Sequence, residues 1–273
     1  MLVEKLSAAD AAVLETFVVP RYLTLFGDLM FEMLLVGEAA RMAHLGCRTG
    51  YPDRQLCSLV ADASLVGLDA SAYALELARN KAATHPEVSI EYREAEQTPF
   101  PLDTASCSHV ISLHPLGSAD DRIDLFTEAA RLLYSGGQAL FAMPLRGSFQ
   151  EIGDLLREYS LKYDEGEFGR LADAAMAAHP TIETLSDELE AVGLGDVDVA
   201  MRPQSLAFDS GRAFVEDPAT RLLILPELKL SMGLDDLDEP IRYIRDAIDK
   251  YWSEGRFELT VNVGCASARR YDE

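Results

Sequence analysis

Short apolar runs alternate with amphipathic stretches between residues 41 and 143, and this alternation constrains the fold more than any other feature of the sequence. The apolar runs predict five strands, at residues 41–45, 64–68, 88–92, 108–113 and 138–143. The stretches between them predict helices at residues 52–60, 71–83 and 121–133. Strands and helices in this order indicate a parallel sheet with crossover helices.

The three predicted helices have recognisable boundary signals. Pro52 suits the first turn of a helix because its nitrogen carries no hydrogen, and Ser71 and Asp120 can each cap a helix by accepting a backbone N–H. In the stretch "YSGG", residues 134–137, a glycine is available to end the third helix in a left-handed conformation.

The remaining chain is mostly helical by pattern. Helices are expected within residues 8–38, at 148–159, 168–178, 186–192 and 211–223, and after Pro240, with further strands at 196–201 and 257–266. We expect one domain overall, made of an N-terminal helical segment (1–39), an α/β core (40–201), a helical cap or insert (202–256) and a final strand and tail (257–273).

The charge balance excludes several classes of partner. The chain of 273 residues has 24 basic and 46 acidic residues, a formal net charge of −22. Such a surface repels nucleic acid and anionic lipid. With no apolar stretch near the roughly 20 residues of a membrane span and no leader-like N-terminus, a cytoplasmic protein without nucleic-acid or membrane partners is expected.

The four cysteines do not suggest a metal site. Cys47, Cys57, Cys107 and Cys265 are scattered, without a CxxC pair or a nearby histidine cluster. We expect free thiols in a reducing compartment and no bound metal.

Polar residues that could carry chemistry follow several of the predicted strands. Ligands of open α/β sheets bind at the carboxyl ends of the strands. Gly46 and Gly50 would let a ligand approach the backbone after the first strand. After the second strand, Asp69 could accept both hydroxyls of a ribose or cap the next helix.

Two further residues have alternative interpretations. His114, in the loop after the fourth strand, could act as a general base or be a structural residue beside a proline. Glu94, after the third strand, could accept a hydrogen bond from an amino group of a base, or be an exposed loop residue without a specific role.

Five stretches, taken together, resemble a known family. They are "HLGCRTG", "GLDASAYALELARNKA", "REAEQTPFP", "SHVISLHPL" and "EAARLLYSGGQALFAMP". Their order and spacing are similar to those of class I S-adenosylmethionine-dependent methyltransferases, especially the small-molecule branch that includes quinone and carrier-protein ester methyltransferases. The resemblance covers residues 40–145 and extends weakly to 181–201 and 257–266.

This resemblance implies an α/β fold, the Rossmann-like, doubly wound, mostly parallel sheet of seven strands, with a helical N-terminal segment and a helical insert before the last strand. It also implies S-adenosylmethionine as the cofactor. The positions matching the family's site are the glycine loop (Gly46, Cys47, Arg48, Gly50), the ribose-binding acid and its neighbour (Asp69, Ala70), the acid near the adenine amino group and its neighbour (Glu94, Ala95), and His114 in the loop that faces the methyl group.

Three positions depart from the family pattern. His44 stands where an acidic residue usually precedes the first glycine, Arg48 replaces the central glycine, and His109 replaces a common aspartate. A left-handed conformation at Arg48 would cost about 1–2 kcal/mol. Its guanidinium could fill the place of the cofactor's methionine part, or point outward into solvent.

Three functions therefore remain open at this stage. The first is methyl transfer to a small-molecule acceptor, with His114 or Tyr22 orienting or deprotonating the acceptor. The second is a catalytically inactive interaction module, closed by Arg48, whose acidic surface docks a basic partner protein. The third is a different ligand, whose carboxylate or phosphate pairs with Arg48.

Overall fold

The computed structural model describes residues 5–37, 39–60 and 62–272. It contains a seven-stranded sheet, as the resemblance implied. The strands are β1 (Arg41–Leu45), β2 (Ser64–Asp69), β3 (Ser89–Glu94), β4 (Cys107–Leu113), β5 (Leu133–Pro144), β6 (Leu194–Phe208) and β7 (Phe257–Arg270). All seven predicted strands are confirmed in position, and the last three are longer than predicted.

The helices follow the predicted order along the chain. They are α1 (Ala8–Val13), α2 (Thr24–Met33), α3 (Asp53–Leu59), α4 (Ala72–Ala83), α5 (Ala119–Leu132), α6 (Gln150–Tyr163), α7 (Gly166–Ala178), α8 (Ile182–Ala191), α9 (Gly211–Glu216), α10 (Leu225–Met232) and α11 (Asp238–Tyr251). Within the described residues, no helix combines the length and the apolar character that a membrane crossing requires.

The N-terminal helical segment is continuous from α1 to α2 through a π-helix, Leu14–Leu23. The Ser7 side chain caps α1 by accepting a hydrogen bond from the backbone N–H of Asp10. Helix α2 ends at Met33, before the predicted end at residue 38, which lies outside the described residues.

The sheet has the strand order β3-β2-β1-β4-β5-β7-β6. β1 pairs in parallel with both β2 and β4, so that His44 lies opposite Gly67 on one side and Ile111 on the other. The chain order reverses between β1 and β4. In a parallel sheet this reversal opens a crevice at the carboxyl ends of the two strands, where ligands bind.

The chain forms two compact units. One contains Met1–Met143, Ile182–Ala200 and Gly264–Glu273 in their described parts, and the other contains Pro144–Thr181 and Met201–Val263. The domain boundaries expected from the sequence differ from these units mainly in residues 144–181, which were assigned to the α/β core.

The predicted cap of α5 was wrong, and so was the predicted stop. Ser118, not Asp120, caps the helix, and the carboxylate of Asp121 completes a capping box by accepting from the Ser118 N–H. The stretch "YSGG" lies within β5 rather than in a left-handed helix end. Arg270 donates to the carbonyls of Ala130 and Leu133, which satisfies the end of the helix without a glycine.

Of the two start residues predicted for the other helices, Ser71 is confirmed and Pro52 is not. Ser71 caps α4 by accepting from the Ala74 N–H, as predicted. Helix α3 begins at Asp53, one residue later than predicted, so Pro52 is the residue before the helix rather than its first residue. Pro52 follows a cis peptide bond.

We predict that Ser118→Ala lowers the free energy of unfolding by about 0.5–2 kcal/mol, because the Asp121 N–H loses the side-chain oxygen that accepts from it. The matched change Asp120→Ala removes only a charge near the helix N-terminus and should cost about 0.3–1 kcal/mol. Urea denaturation of both variants measures the difference. A larger loss for Asp120→Ala would contradict the assigned cap.

Candidate functional site

The loop after β1 curls over the end of β2 in the first unit. The N–H groups of Gly46 and Cys47 both donate to the Leu68 carbonyl, at 2.8 and 3.0 Å. Gly46, Arg48 and Gly50 have positive φ angles of 72°, 48° and 79°. Arg48 therefore has a left-handed conformation, in which glycine would be unstrained.

The two outer glycines of this loop have different surroundings. A Cβ placed on Gly46 would have no atom within 4 Å, so a ligand can approach the backbone there. A Cβ on Gly50 would overlap the Tyr92 hydroxyl and crowd Ala78. Gly46 is thus the ligand-accessible position, whereas Gly50 is required for packing.

The Arg48 side chain points into the crevice between β1 and β4. Its Nη1 donates to the Leu113 carbonyl at 2.9 Å and its Nη2 to the His114 carbonyl at 2.6 Å. Only 8% of the residue is exposed. The guanidinium therefore joins the loop after β1 to the end of β4 across the strand-order reversal.

Asp69 joins the ends of two loops. Its Oδ2 accepts from the Arg48 N–H at 2.9 Å, and its Oδ1 accepts from the Ser71 N–H at 2.8 Å. Helix α4 is capped by Ser71, so the alternative of Asp69 as the helix cap was wrong. Each carboxylate oxygen retains acceptor capacity for a second donor.

The remaining predicted cofactor residues lie beside Asp69. Glu94 is its register partner at the end of β3 and is exposed, whereas Ala70 is buried. The Ala95 N–H donates to the Asp69 carbonyl at 2.9 Å. The structure thus brings the ends of β1, β2 and β3 together.

His114 lies at the end of β4, enclosed by the N-terminal helical segment. Its Nε2 is 2.8 Å from the Tyr22 hydroxyl, and its ring contacts the edges of Tyr22 and Phe26 at centroid distances of 5.2 and 5.1 Å. The residue is fully buried and has a φ of 51°. The two residues proposed to orient an acceptor are therefore hydrogen-bonded to each other.

A buried polar cluster behind the loop was missed from the sequence. His44 Nδ1 lies 2.5 Å from Oδ1 of Asp53, and both side chains are buried. The Tyr92 hydroxyl also interacts with Asp53. Burial raises the pKa of Tyr92, and the nearby charge of Asp53 raises it further. A carboxylate is thus present beside His44, supplied by α3 rather than by β1.

The only sequence signal for this cluster was an aspartate in the first turn of α3. It could not be interpreted without knowing that Gly67 leaves room for the Tyr92 ring between the strand and the helix.

His109 lies away from the crevice, at the start of β4. Its Nδ1 is 2.8 Å from Ser108 Oγ and its Nε2 is 2.9 Å from the Leu35 carbonyl. Burial lowers its pKa, which favours the neutral ring. This departure from the family pattern does not alter the candidate site.

The four cysteines are free and buried. Burial raises the pKa of the Cys47 thiol well above its usual value and that of the Cys57 thiol to about 12. Neither favours the reactive thiolate. Among the described residues, no group of three or more histidines, cysteines or carboxylates could hold a metal ion.

The model of the methyltransferase domain family matches residues 43–141, which contain the loop, Asp69, Glu94 and His114. The chain has the class I methyltransferase fold. The resemblance inferred from the five sequence stretches is thereby confirmed, and S-adenosylmethionine is the cofactor that this domain implies. No curated protein matches the sequence significantly.

Solved structures are similar over almost the whole chain. The YcgJ protein of Bacillus subtilis is 11% identical, with a TM-score of 0.59 and coverage of 91% of this chain and 98% of that one. A putative methyltransferase of Bacillus halodurans is 14% identical, with a TM-score of 0.58 and coverage of 90% and 98%. At these identities the likeness establishes the fold.

A third similar structure contains ligands. It is the Haemonchus contortus phosphoethanolamine N-methyltransferase 2 with phosphomonomethylethanolamine and S-adenosylhomocysteine, 14% identical with a TM-score of 0.59. The match covers 98% of this chain and 59% of the nematode protein.

The residues of the candidate site fit this cofactor in part. The open space at Gly46 and the acceptor capacity of Asp69 suit a nucleoside ligand bound against the backbone. Arg48 does not suit it in the observed conformation. Its guanidinium takes up space in the crevice, and its positive charge repels the positive charge of a sulfonium.

We predict that Gly67→Ala lowers the free energy of unfolding by about 1–3 kcal/mol, because the added Cβ overpacks the space that the Tyr92 ring fills. That Cβ would lie 2.5 Å from Tyr92 Cδ1 and 2.9 Å from Cys47 Sγ. Gly255→Ala is the control, since its Cβ would have no atom within 4 Å. Urea denaturation is the measurement, and equal effects of the two changes would contradict the packing role of Gly67.

Proposed function

We propose that the protein transfers a methyl group from S-adenosylmethionine to a small-molecule acceptor. The observation that carries this proposal is the accessible backbone at Gly46 next to the Asp69 carboxylate, at the strand-order reversal of a methyltransferase domain. The Haemonchus contortus enzymes with S-adenosylhomocysteine or S-adenosylmethionine provide support from the same fold.

Each candidate residue has a definite task in this proposal. The cofactor supplies a methyl group already activated on a sulfonium. Gly46 allows its close approach, Asp69 accepts the ribose hydroxyls, and Glu94 accepts from the adenine amino group. The hydrogen-bonded pair of Tyr22 and His114 orients or deprotonates the acceptor once the acceptor reaches it.

Arg48 must leave the crevice before this cofactor binds. Each of its hydrogen bonds to the β4 carbonyls contributes about 1.5–3 kcal/mol as a bond from a charged donor. Water compensates part of this loss when the guanidinium moves outward. We therefore expect Arg48 to weaken cofactor binding without abolishing it.

A second function has a specific observation in its favour. The site is closed on two sides: Arg48 is bonded across the crevice, and His114 is enclosed by Tyr22 and Phe26. A closed site suits a catalytically inactive interaction module. The net charge of −22 would favour a basic partner.

One similar structure is itself a protein complex. It contains the Haloferax volcanii Trm112 methyltransferase activator and a putative methyltransferase, 19% identical to this chain with a TM-score of 0.53 and coverage of 97% and 96%. It supports a protein partner for this chain under either proposal, since a partner could also open a closed crevice.

The test is calorimetric titration with S-adenosylmethionine and S-adenosylhomocysteine. The wild type should bind weakly, and Arg48→Gly should bind at least about tenfold more tightly, because the loss of one such hydrogen bond exceeds about 1.4 kcal/mol. Arg48→Gln is the matched control, since it removes the charge and keeps a polar, although shorter, side chain. It should give an intermediate affinity.

Three results would decide between the functions. Binding by wild type supports the enzyme. Binding by Arg48→Gly alone supports the closed interaction module. Failure of both proteins to bind either ligand, with each variant folded by circular dichroism, would rule out the cofactor site.

A further inference from the structure

A groove of about 560 Å³ lies on the second unit, between α6 and α11. Its size falls within the range of small-molecule sites, about 300–1,000 Å³. It is lined by residues 159–165 and 239–251, none of which matches a cofactor position of the methyltransferase domain. The groove is therefore a feature that the proposed methyl transfer does not explain.

Tyrosine rings form one wall of this groove. Tyr159 is packed against Tyr163 and Tyr243, at centroid distances of 4.9 and 5.6 Å. Tyr159 is buried, whereas 52% of Tyr163 is exposed. A planar ligand would meet an aromatic surface there, in which Tyr163 and Tyr251 are the exposed rings.

Glu158 fixes the phenol groups of the wall. It accepts a hydrogen bond from the Tyr243 hydroxyl at 2.7 Å and another from the Tyr251 hydroxyl. These two hydrogen bonds lower the pKa of Glu158 and favour its charged form. Both hydroxyls are therefore engaged with the protein, and the rings present their faces and edges to a ligand.

Two lysines supply positive charge at the same place. Lys162 Nζ lies 4.8 Å from the centroid of Tyr243 and 5.3 Å from that of Tyr163. Lys250 Nζ lies 4.5 Å from the centroid of Tyr251. The ammonium groups are thus held over aromatic faces by cation–π contacts.

Neither lysine forms an ion pair with a carboxylate in the part of the chain that the structure describes, whereas Lys5 and Lys81 both do. The chain has 46 acidic residues against 24 basic ones, so carboxylate partners are abundant on its surface. The other cations of the groove, Arg242 and Arg245, are paired with Glu239 and Asp246 at 3.6 and 2.7 Å. The two lysines interact with the charge of Glu158 without a direct ion pair, and Lys250 also donates to the Tyr251 hydroxyl at 3.3 Å. They are therefore less tightly committed to carboxylates than the two arginines.

We propose that this groove binds a small organic anion with an aromatic ring. The ring of the ligand packs against Tyr163 and Tyr243 beside the Lys162 ammonium that lies over them. The carboxylate or phosphate of the ligand is bound by Lys162 and Lys250. A charge-assisted contact to two ammonium groups is stronger than a neutral hydrogen bond. An organic cation fits less well, because lysine ammonium groups already occupy the aromatic faces and would repel it.

The test uses probes that share a ring and differ in charge. These are 1-naphthoate, the neutral 1-naphthamide and the cationic 1-naphthylmethylammonium, titrated into the full chain and followed by calorimetry and ligand-observed NMR. We expect 1-naphthoate to bind at least about tenfold more tightly than the amide, the equivalent of about 1.4 kcal/mol. A fourth titration with 1-naphthyl phosphate shows whether carboxylate or phosphate is preferred.

Three variants locate the bound probe. The double change Lys162→Gln and Lys250→Gln should weaken binding of 1-naphthoate at least about fivefold and leave the amide unchanged. Tyr163→Ala should weaken all the probes, because it removes an exposed ring. Lys229→Gln is the control, since this lysine also forms no ion pair among the described residues but does not line the groove.

The proposal is overturned if the amide or the ammonium probe binds as tightly as the anion. It is overturned equally if no probe binds, or if the double variant retains the affinity of the wild type. None of these results depends on S-adenosylmethionine, so the groove and the methyl transfer are tested separately.

Discussion

The parallel pairing of β1 with β2 on one side and β4 on the other determines where chemistry can occur in this protein. Because all three strands run in the same direction, their carboxyl ends and the loops that follow lie at the same edge of the sheet. The loop of Gly46, the carboxylate of Asp69 and the backbone of His114 are neighbours for this reason alone. Side chains then decide whether the crevice between them accepts a ligand.

Two of those side chains have opposite effects on the access of a ligand to the crevice. Asp69 uses its carboxylate to hold the loops after β1 and β2 in position and so maintains the accessible backbone at Gly46. Arg48 extends from the same loop to the carbonyls of β4. The left-handed conformation of Arg48 aims its side chain across the crevice, and the carbonyls that end β4 provide acceptors for it.

The sequence predicted the strands, most helix positions and the group of residues at the carboxyl edge, because hydrophobic period and loop chemistry are local properties. It could not predict the direction of the Arg48 side chain, since solvent and the β4 carbonyls both offer acceptors to a guanidinium. The partnership of His44 with Asp53 depends on how α3 packs against the sheet. The end of α5 was mispredicted because Arg270, far along the chain, satisfies its carbonyls.

The contact between Tyr22 and His114 joins residues 92 positions apart in the chain. During synthesis the helical segment that carries Tyr22 leaves the ribosome before β4, so Tyr22 has no His114 to bond with until that strand has formed. The packing of this segment can therefore be completed only after β4 is in place.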